Sequence, residues 1–374
     1  MLRRSRLASS SPYGISLALL VASTACRGGG GGTGGAGGDA AGGDGQGGLS
    51  DATSLECPFP GKLPFALESS GFQNPDAQTI AENNPRLKDE ATDILGVPGG
   101  VNADTLTEVN EQAGADPLTY AGRKSRTGNA SGLSGNPLGG ENVSLWYYDS
   151  AATSWISLGR AVTDDTGFYT ITPGDPVAAP LGQPIYSVLE ADKSCTEHFD
   201  YLMPSGTKIV LTDIDGTLTL SDEELFKQID DGTYVPIENN SASEMMNLWS
   251  DKGYEIVYLT ARPHNFRSET RAWLVEKGYP TGPVISANTL VFDESARDYK
   301  SAWVTRLTDA FGWEIVAAYG NAESDVQAYE DAGISKDITF IVGPFAGSSG
   351  TQSIENNDYG DHISDFVTPY PDAN

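Results

Sequence analysis

Two carboxylates, Asp213 and Asp215, close a strand-length apolar run, Lys208-Ile-Val-Leu-Thr212, and are followed by Gly216-Thr217-Leu218-Thr219. Alternate residues of an extended chain face the same way, so this i, i+2 pair can address one point just past the strand's end. Open α/β sheets place their chemistry there. Neighbouring carboxylates repel, and burying them is costly unless a cation or a shared proton neutralises them. A hard divalent ion such as Mg²⁺ meets that need and also attracts phosphate. Taken alone, Asp-x-Asp-Gly-Thr also suits a solvated turn, because Asp and Gly are ordinary turn residues.

Three later stretches supply what phosphoryl transfer requires. Ile256 to Leu259 runs into Thr260-Ala261-Arg262-Pro263, Lys300 is expected to open a helix, and Ile315 to Tyr319 runs into Gly320-Asn321-Ala322-Glu323-Ser324-Asp325. A hydroxyl and an ammonium can hold phosphoryl oxygens, and a further carboxylate can complete a metal site.

With these motifs in this order, the segment from about Lys208 to Val342 resembles the haloacid-dehalogenase-like phosphatase superfamily. More narrowly, Asp213 to Asp222 and Ala317 to Tyr329 are similar to the C-terminal domain shared by lipin-type phosphatidate phosphatases and membrane-associated phosphatidylinositol-transfer proteins. The resemblance implies that Asp213 attacks phosphorus and that Asp215 protonates the leaving group and then activates water. It assigns phosphate binding to Thr260 and Lys300, and Mg²⁺ to Asp213, Asp215 (through its carbonyl), Asn321 and Asp325. Asn321 stands where many members carry Asp, so Asp325 is the stronger expected ligand. Arg262 either assists or is structural, with Pro263 marking a turn. His198, His264 and His362 are too scattered for a His-rich metal site and are read as surface residues.

Positioning such a site requires alternating strands and helices. Strands are expected at 207–212, 254–259, 283–286, 315–319 and 338–342, and helices near 241–252, 266–277, 300–311 and 323–332. This pattern implies a Rossmann-like parallel sheet with helices on both faces, spanning 204–344. Between Asp215 and Thr260 lie 44 residues (216–259), and between Thr260 and Lys300 lie 39 (261–299), so the domain is capless or has a small cap. An uncovered site suits a substrate whose bulk stays outside, such as a lipid head group. The tail, 345–374, is polar and is expected to wrap the surface loosely.

Ahead of this domain, residues 118–203 carry short aromatic and β-branched runs at 143–148, 154–158, 167–172 and 185–189, with a hairpin loop expected at 163–167. They predict a small all-β sandwich, weakly similar to transthyretin-like modules, that packs on the phosphatase and shapes its mouth or serves only as a stalk. Residues 55–117 carry no chemical motif, and helix is expected from Pro75 to about Leu95, interrupted at Pro85.

At 374 residues the chain has room for two domains plus appendages. Residues 1–25 read as a signal peptide, with Arg3, Arg4 and Arg6 ahead of the apolar run Ile15–Ala22, and Cys26 follows a lipoprotein-like cleavage box. Lipidation of Cys26, with a Gly-rich tether over 26–54, would hold the protein peripherally at a bacterial cell envelope; plain secretion is the alternative. Cys57 and Cys195 then form an even pair and are expected to be disulfide-bonded. The net charge of −28 disfavours nucleic acid and anionic membrane faces as partners. Together these features predict a Mg²⁺-dependent phosphomonoester phosphatase with a phosphorylated substrate, phosphatidate among the candidates. The alternatives are a phospholipid head-group binding module without turnover and a generic exported acid phosphatase.

Overall fold

A strand whose residues are all apolar needs a cover on each face, and the C-terminal half of the chain provides both. The computed structural model describes residues 63–84, 86–88, 90–105, 118–128, 135–173, 184–289 and 291–373. The signal peptide, Cys26, the tether and Cys57 lie outside them. Chain order in the α/β part is β1 (Lys208–Thr212), α1 (Glu223–Asp230), α2 (Ala242–Asp251), β2 (Glu255–Pro263), α3 (Arg267–Glu276), β3 (Val284–Ala287), α4 (Asp293–Thr305), β4 (Glu314–Gly320), α5 (Glu323–Asp331), β5 (Thr339–Val342) and β6 (Gln352–Ile354). All six strands are parallel, in the order β3-β2-β1-β4-β5-β6. This doubly wound arrangement leaves a crevice at the carboxyl ends where strand order reverses, beside β1.

Successive strand residues feed opposite faces. Ile209 and Leu211 join Trp303, Leu307 and Tyr329 in one cluster, whereas Val210 joins Met245, Trp249 and Trp273 in the other. Helix α2 buries Ala242, Met245, Met246 and Trp249, spaced for one helical face.

The expected parallel sheet and its helices are present, with three differences. Strand β2 runs on to Pro263, which pairs with Ala287, so the chain does not turn at Pro263. Helix α4 starts at Asp293, where the Ser295 hydroxyl accepts from the Phe292 N–H, so Lys300 projects from mid-helix rather than opening it. The tail is not a loose wrap: β6 extends the sheet, and Tyr359 and Val367 are fully buried beside Phe366 and Tyr370 in the main core. Their apolar surface packs with Phe340 and Val342 of β5.

The all-β part has a four-stranded antiparallel sheet ordered Cys195–His198, Ile185–Leu189, Asn142–Asp149 and Ser154–Val162. It shares a core with the sheet Phe168–Ile171, Tyr120–Arg123 and Glu90–Ala91, through Val143, Leu145, Ile185, Tyr120, Tyr169 and Ile171. The 163–167 turn is real, with Asp164 Oδ1 accepting from the N–H groups of Thr166 and Phe168 at 2.8 and 3.0 Å. It carries the chain from one sheet to the other instead of closing a hairpin. Helix is confined to Pro75–Asn83; beyond it, Glu90–Ala91 and Ile94–Gly96 are strands, Ile94–Gly96 pairing in parallel with Asp200–Leu202. Long-range pairing here overrides the helical reading.

Leu95, Ala103, Tyr201 and Met203 from this part pack on the same sheet face as Ile209 and Leu211. Buried charges complete the junction: Asp93 pairs with Arg267 and Arg271 of α3, and Lys88 pairs with Glu269. His198 and His264, expected on the surface, are buried close to this junction, and neither ring nitrogen of His264 has a partner among the described residues. Burial pushes both imidazoles down to about 3, which keeps them neutral. His362 is largely buried too, its Nε2 2.9 Å from the Tyr319 hydroxyl. Cys195 is buried in its strand, while the partner expected for it lies outside the described residues.

Candidate active site

The turn after β1 is built by close approach. Asp213 donates its N–H to the Tyr319 carbonyl at 3.0 Å, tying the turn to β4. Gly216 has φ +67°, and a Cβ there would lie 2.0 Å from Asn321 Nδ2 and 2.6 Å from Asp222 Oδ1. Only glycine lets the two motifs meet. Asn239 Nδ2 donates to the carbonyls of Thr217 and Thr219 at 2.7 and 3.0 Å, which fixes the turn from outside.

At the floor, Lys300 Nζ lies 2.9 Å from Asp213 Oδ2 and 2.5 Å from Asp325 Oδ1. Asp325 Oδ2 accepts from the N–H groups of Asn321 and Ala322 at 3.0 and 3.1 Å, at the start of α5, where the helix dipole favours an anion. Burial pushes the Asp213 carboxyl up to about 8, with Asp325 and Asp215 adding to the rise and Lys300 opposing it. Burial alone would lower Lys300, but the two carboxylates outweigh it and hold the ammonium above its ordinary value. Asp213 Oδ1 is buried without a partner among the described residues.

Asp215 reaches the same cavity but is held differently, by a bidentate pair with the fully buried Arg262. Arg262 also lines the cavity. Thr260 is buried in β2, its Oγ1 accepting from the Arg262 N–H at 3.2 Å, and the neighbouring Ala261 and Arg262 are the ones that reach the cavity wall. Asn321 Oδ1 accepts from Thr217 Oγ1 at 3.2 Å, and its Nδ2 donates to Asp222 Oδ1 at 3.0 Å. Burial raises the Asp222 carboxyl, partly offset by that Asn321 bond.

These groups open into a cavity of about 260 Å³. Its polar lining includes Asp213, Asp215, Asp222, Arg262, Lys300 and Asn321, and its apolar lining Leu225, Phe226, Val291, Phe292 and Ala296. Phe226 and Phe292 are 45% and 55% exposed at its mouth, and Leu220 and Ile237 are exposed nearby in the chain. Among the described residues, none from the all-β part lines this cavity. A larger hollow of about 460 Å³ lies over β6 and the tail and holds none of the motif residues.

A hard divalent cation fits this floor. Asp213 Oδ1 is a buried carboxylate oxygen with no donor, and the Asn321 carbonyl oxygen carries only one long contact. Among the described residues no three or more His, Cys, Asp or Glu side chains converge as a metal cage. Mg²⁺ does not need one, since it takes one or two carboxylates and keeps several waters.

The sequence reading passed over Asp222, Gln228, Phe226 and Phe292. Asp222 stands in the string that carried the resemblance, but an acid in a turn looks solvated; only its contact with Asn321, 99 residues away, shows its place. The two phenylalanines belong to no periodic pattern that would mark them.

The comparisons bear on the same stretch. Residues 210–343 match the model described as PITM 1-3, LNS2 domain. The LNS2 match runs from within β1 through β5 and takes in all the site residues named above. Drosophila melanogaster protein retinal degeneration B is 28% identical over 208 residues, 55% of this chain and 16% of that protein. Human membrane-associated phosphatidylinositol transfer protein 1 is 29% identical over 208 residues, with the same 55% and 16% coverage. The match therefore takes in 16% of the length of these relatives. Among solved structures, D,D-heptose 1,7-bisphosphate phosphatase from B. bronchiseptica, complexed with magnesium and phosphate, aligns at 13% identity and TM-score 0.29, covering 40% of this chain and 94% of that one. Among the described residues no helix is long and apolar enough to cross a membrane.

Proposed function

We propose that this chain is a phosphomonoester phosphatase that works through an aspartyl-phosphate on Asp213. One observation carries the reading: a buried carboxylate at the end of β1 has one oxygen on Lys300 and the other unpartnered at the floor of an open cavity. Asp213 attacks phosphorus as the ester P–O bond breaks, and the Asp215 carboxyl gives its proton to the departing oxygen. Water then bonds to phosphorus, losing a proton to Asp215, and the acyl phosphate bond breaks to release phosphate. Lys300, itself held by Asp325, keeps the nucleophile still and offsets its charge, while beside them Ala261 and Arg262, rather than the expected Thr260, line the cavity. Asp213, Asn321 and the Asp215 carbonyl, with Asp325 and Asp222 beside them, would hold Mg²⁺. That ion would supply positive charge against the anionic phosphoryl group.

The apolar wall and the exposed Phe226 and Phe292 favour an ester whose organic part is apolar close to the phosphate, phosphatidate-like lipids included. The second reading is head-group binding without turnover, favoured by the names of the relatives and by the engagement of both Asp215 oxygens with Arg262. Export to the cell envelope through Cys26 belongs to the same proposal, and membrane fractionation of Cys26→Ser tests it.

The deciding assay measures phosphate release from phosphatidate in micelles and from an aryl phosphate, with Mg²⁺ or EDTA, beside Asp213→Asn. Mg²⁺-dependent release, lost in the variant, is the expected result. Phosphatidate binding by a folded protein that releases no phosphate would establish the second reading instead.

A further inference from the structure

Asp215 is held from one direction by a single side chain. Arg262 Nε lies 3.1 and 2.9 Å from its two oxygens, and Nη2 lies 2.8 Å from Oδ1. The remaining arm, Nη1, meets Thr270 Oγ1 of α3 at 3.2 Å and Gln228 Oε1 of α1 at 3.4 Å. All three guanidinium nitrogens are thus committed, inside a residue with no exposed surface. Helix α1, which supplies Gln228, also supplies Leu225 and Phe226 to the cavity wall. The acid and the apolar wall therefore share one guanidinium.

A carboxyl group that protonates a departing alkoxide must place one oxygen within hydrogen-bond reach of it, about 2.6–3.2 Å. Oδ1 carries two of the Arg262 bonds and Oδ2 one, so Asp215 meets a leaving oxygen through the free lone pair of Oδ2, in the orientation that Arg262 sets. The fork of a guanidinium fixes a carboxylate in orientation as well as in place, which an ammonium does not.

We propose that Arg262 is the positioning residue for Asp215, and that Gln228 links its hold to the placement of α1 at the cavity wall. The inference rests on the phosphatase reading. Its consequence differs between esters: attack by Asp213 on phosphorus does not pass through Arg262, whereas transfer of the Asp215 proton to the leaving oxygen does, and the later activation of water by Asp215 is common to every ester. A substrate resting on Leu225 and Phe226 bears on the helix that carries Gln228, which links ester recognition to the aim of the acid.

The test uses two esters and the full chain with Mg²⁺. p-Nitrophenyl phosphate releases a stable phenolate that departs without a proton; n-butyl phosphate releases an alkoxide that needs one. Asp215→Asn sets the reference for losing the acid, expected at about 10²-fold or more on the butyl ester. Arg262→Lys is expected to lower kcat/KM, which reports the steps up to loss of the leaving group, at least tenfold more for butyl phosphate than for the aryl ester. Gln228→Ala is expected to shift the same ratio in the same direction by a smaller factor. If Arg262→Lys fails to give a cooperative melt, Gln228→Ala and Thr270→Val carry the comparison. Equal losses on both esters in the folded variants would overturn the inference and leave the phosphatase reading standing. No phosphate from either ester by the unaltered chain would overturn the phosphatase reading, and this inference with it.

Discussion

The phenol of Tyr359 donates a 3.0 Å hydrogen bond to the carbonyl of Thr217, in the turn that carries Asp213 and Asp215. A residue of the polar tail thereby buttresses the site from behind. Tyr359 is fully buried, and its ring lies 6.2 Å from that of Tyr319 at the end of β4. The tail is part of the machinery that holds the turn still.

Two variants test that role. Tyr359→Phe removes one buried donor while Asn239 still serves the same carbonyl, so the loss is expected near about 1 kcal/mol by urea unfolding. A chain stopped after Pro344 loses β6, Tyr359 and Val367 together and exposes the core around Phe340. It is expected to aggregate or to melt without cooperativity. A soluble, cooperatively folded truncation would return the tail to the status of a loose wrap.

Lys300 separates two buried carboxylates, and its removal leaves them facing one another. Lys300→Met is expected to cost about 3–5 kcal/mol in metal-free buffer, the range for breaking a buried ion pair. Millimolar Mg²⁺ should return part of that loss in a thermal melt, because a cation at Asp213 replaces the missing charge. A melt indifferent to Mg²⁺ would count against a cation site at Asp213.

Asp93 neutralises Arg267 and Arg271 in the junction between the all-β part and α3, and all three are buried. Asp93→Ala leaves two buried guanidinium groups without that partner, with an expected loss of about 3–5 kcal/mol. Phosphate release should fall too if α3, which carries Thr270, shifts Arg262. Chemical denaturation with a parallel activity assay reads both effects.

Asp200 gives a pH signature of known sign. Burial pushes its carboxyl up to about 7, with Asp93 adding to the rise and the Tyr120 hydroxyl, 2.8 Å away, opposing it. In the unfolded chain the same group titrates near about 3.9. The protonated form is therefore favoured by folding: its stabilisation is whole below about pH 4 and is lost as pH rises through about 7. Asp200→Asn keeps an acceptor for Tyr120 and does not ionise. Relative to the unaltered protein, the variant should gain on the order of 2–4 kcal/mol between pH 4.5 and pH 8. Urea midpoints at the two pH values measure that difference, and a constant offset would refute it.

What the sequence by itself determined is local. The apolar run into Asp213-x-Asp215, the strand end near Gly320 and the alternation from 208 to 342 all follow from side chains within a few residues of one another. Periodicity reports such facts because backbone geometry fixes which neighbours share a face. The strands at 142–149, 154–162 and 185–189 were legible for the same reason.

Tertiary structure decided everything that joins distant segments. Arg262 meets Asp215 across 47 residues, Asn321 meets Asp222 across 99, and Arg267 meets Asp93 across 174. A charged residue looks solvated in the sequence whether or not a counter-charge waits elsewhere in the fold, so Asp93 and Asp222 gave no local signal, and Arg262, noticed in its motif, gave no sign of its partner. The strands at 90–91 and 94–96 and the buried tail were hidden likewise, since short segments take their structure from the partner they pair with or cover. The two aspartates could be found by reading along the chain, but the guanidinium that aims one of them had to be found in space.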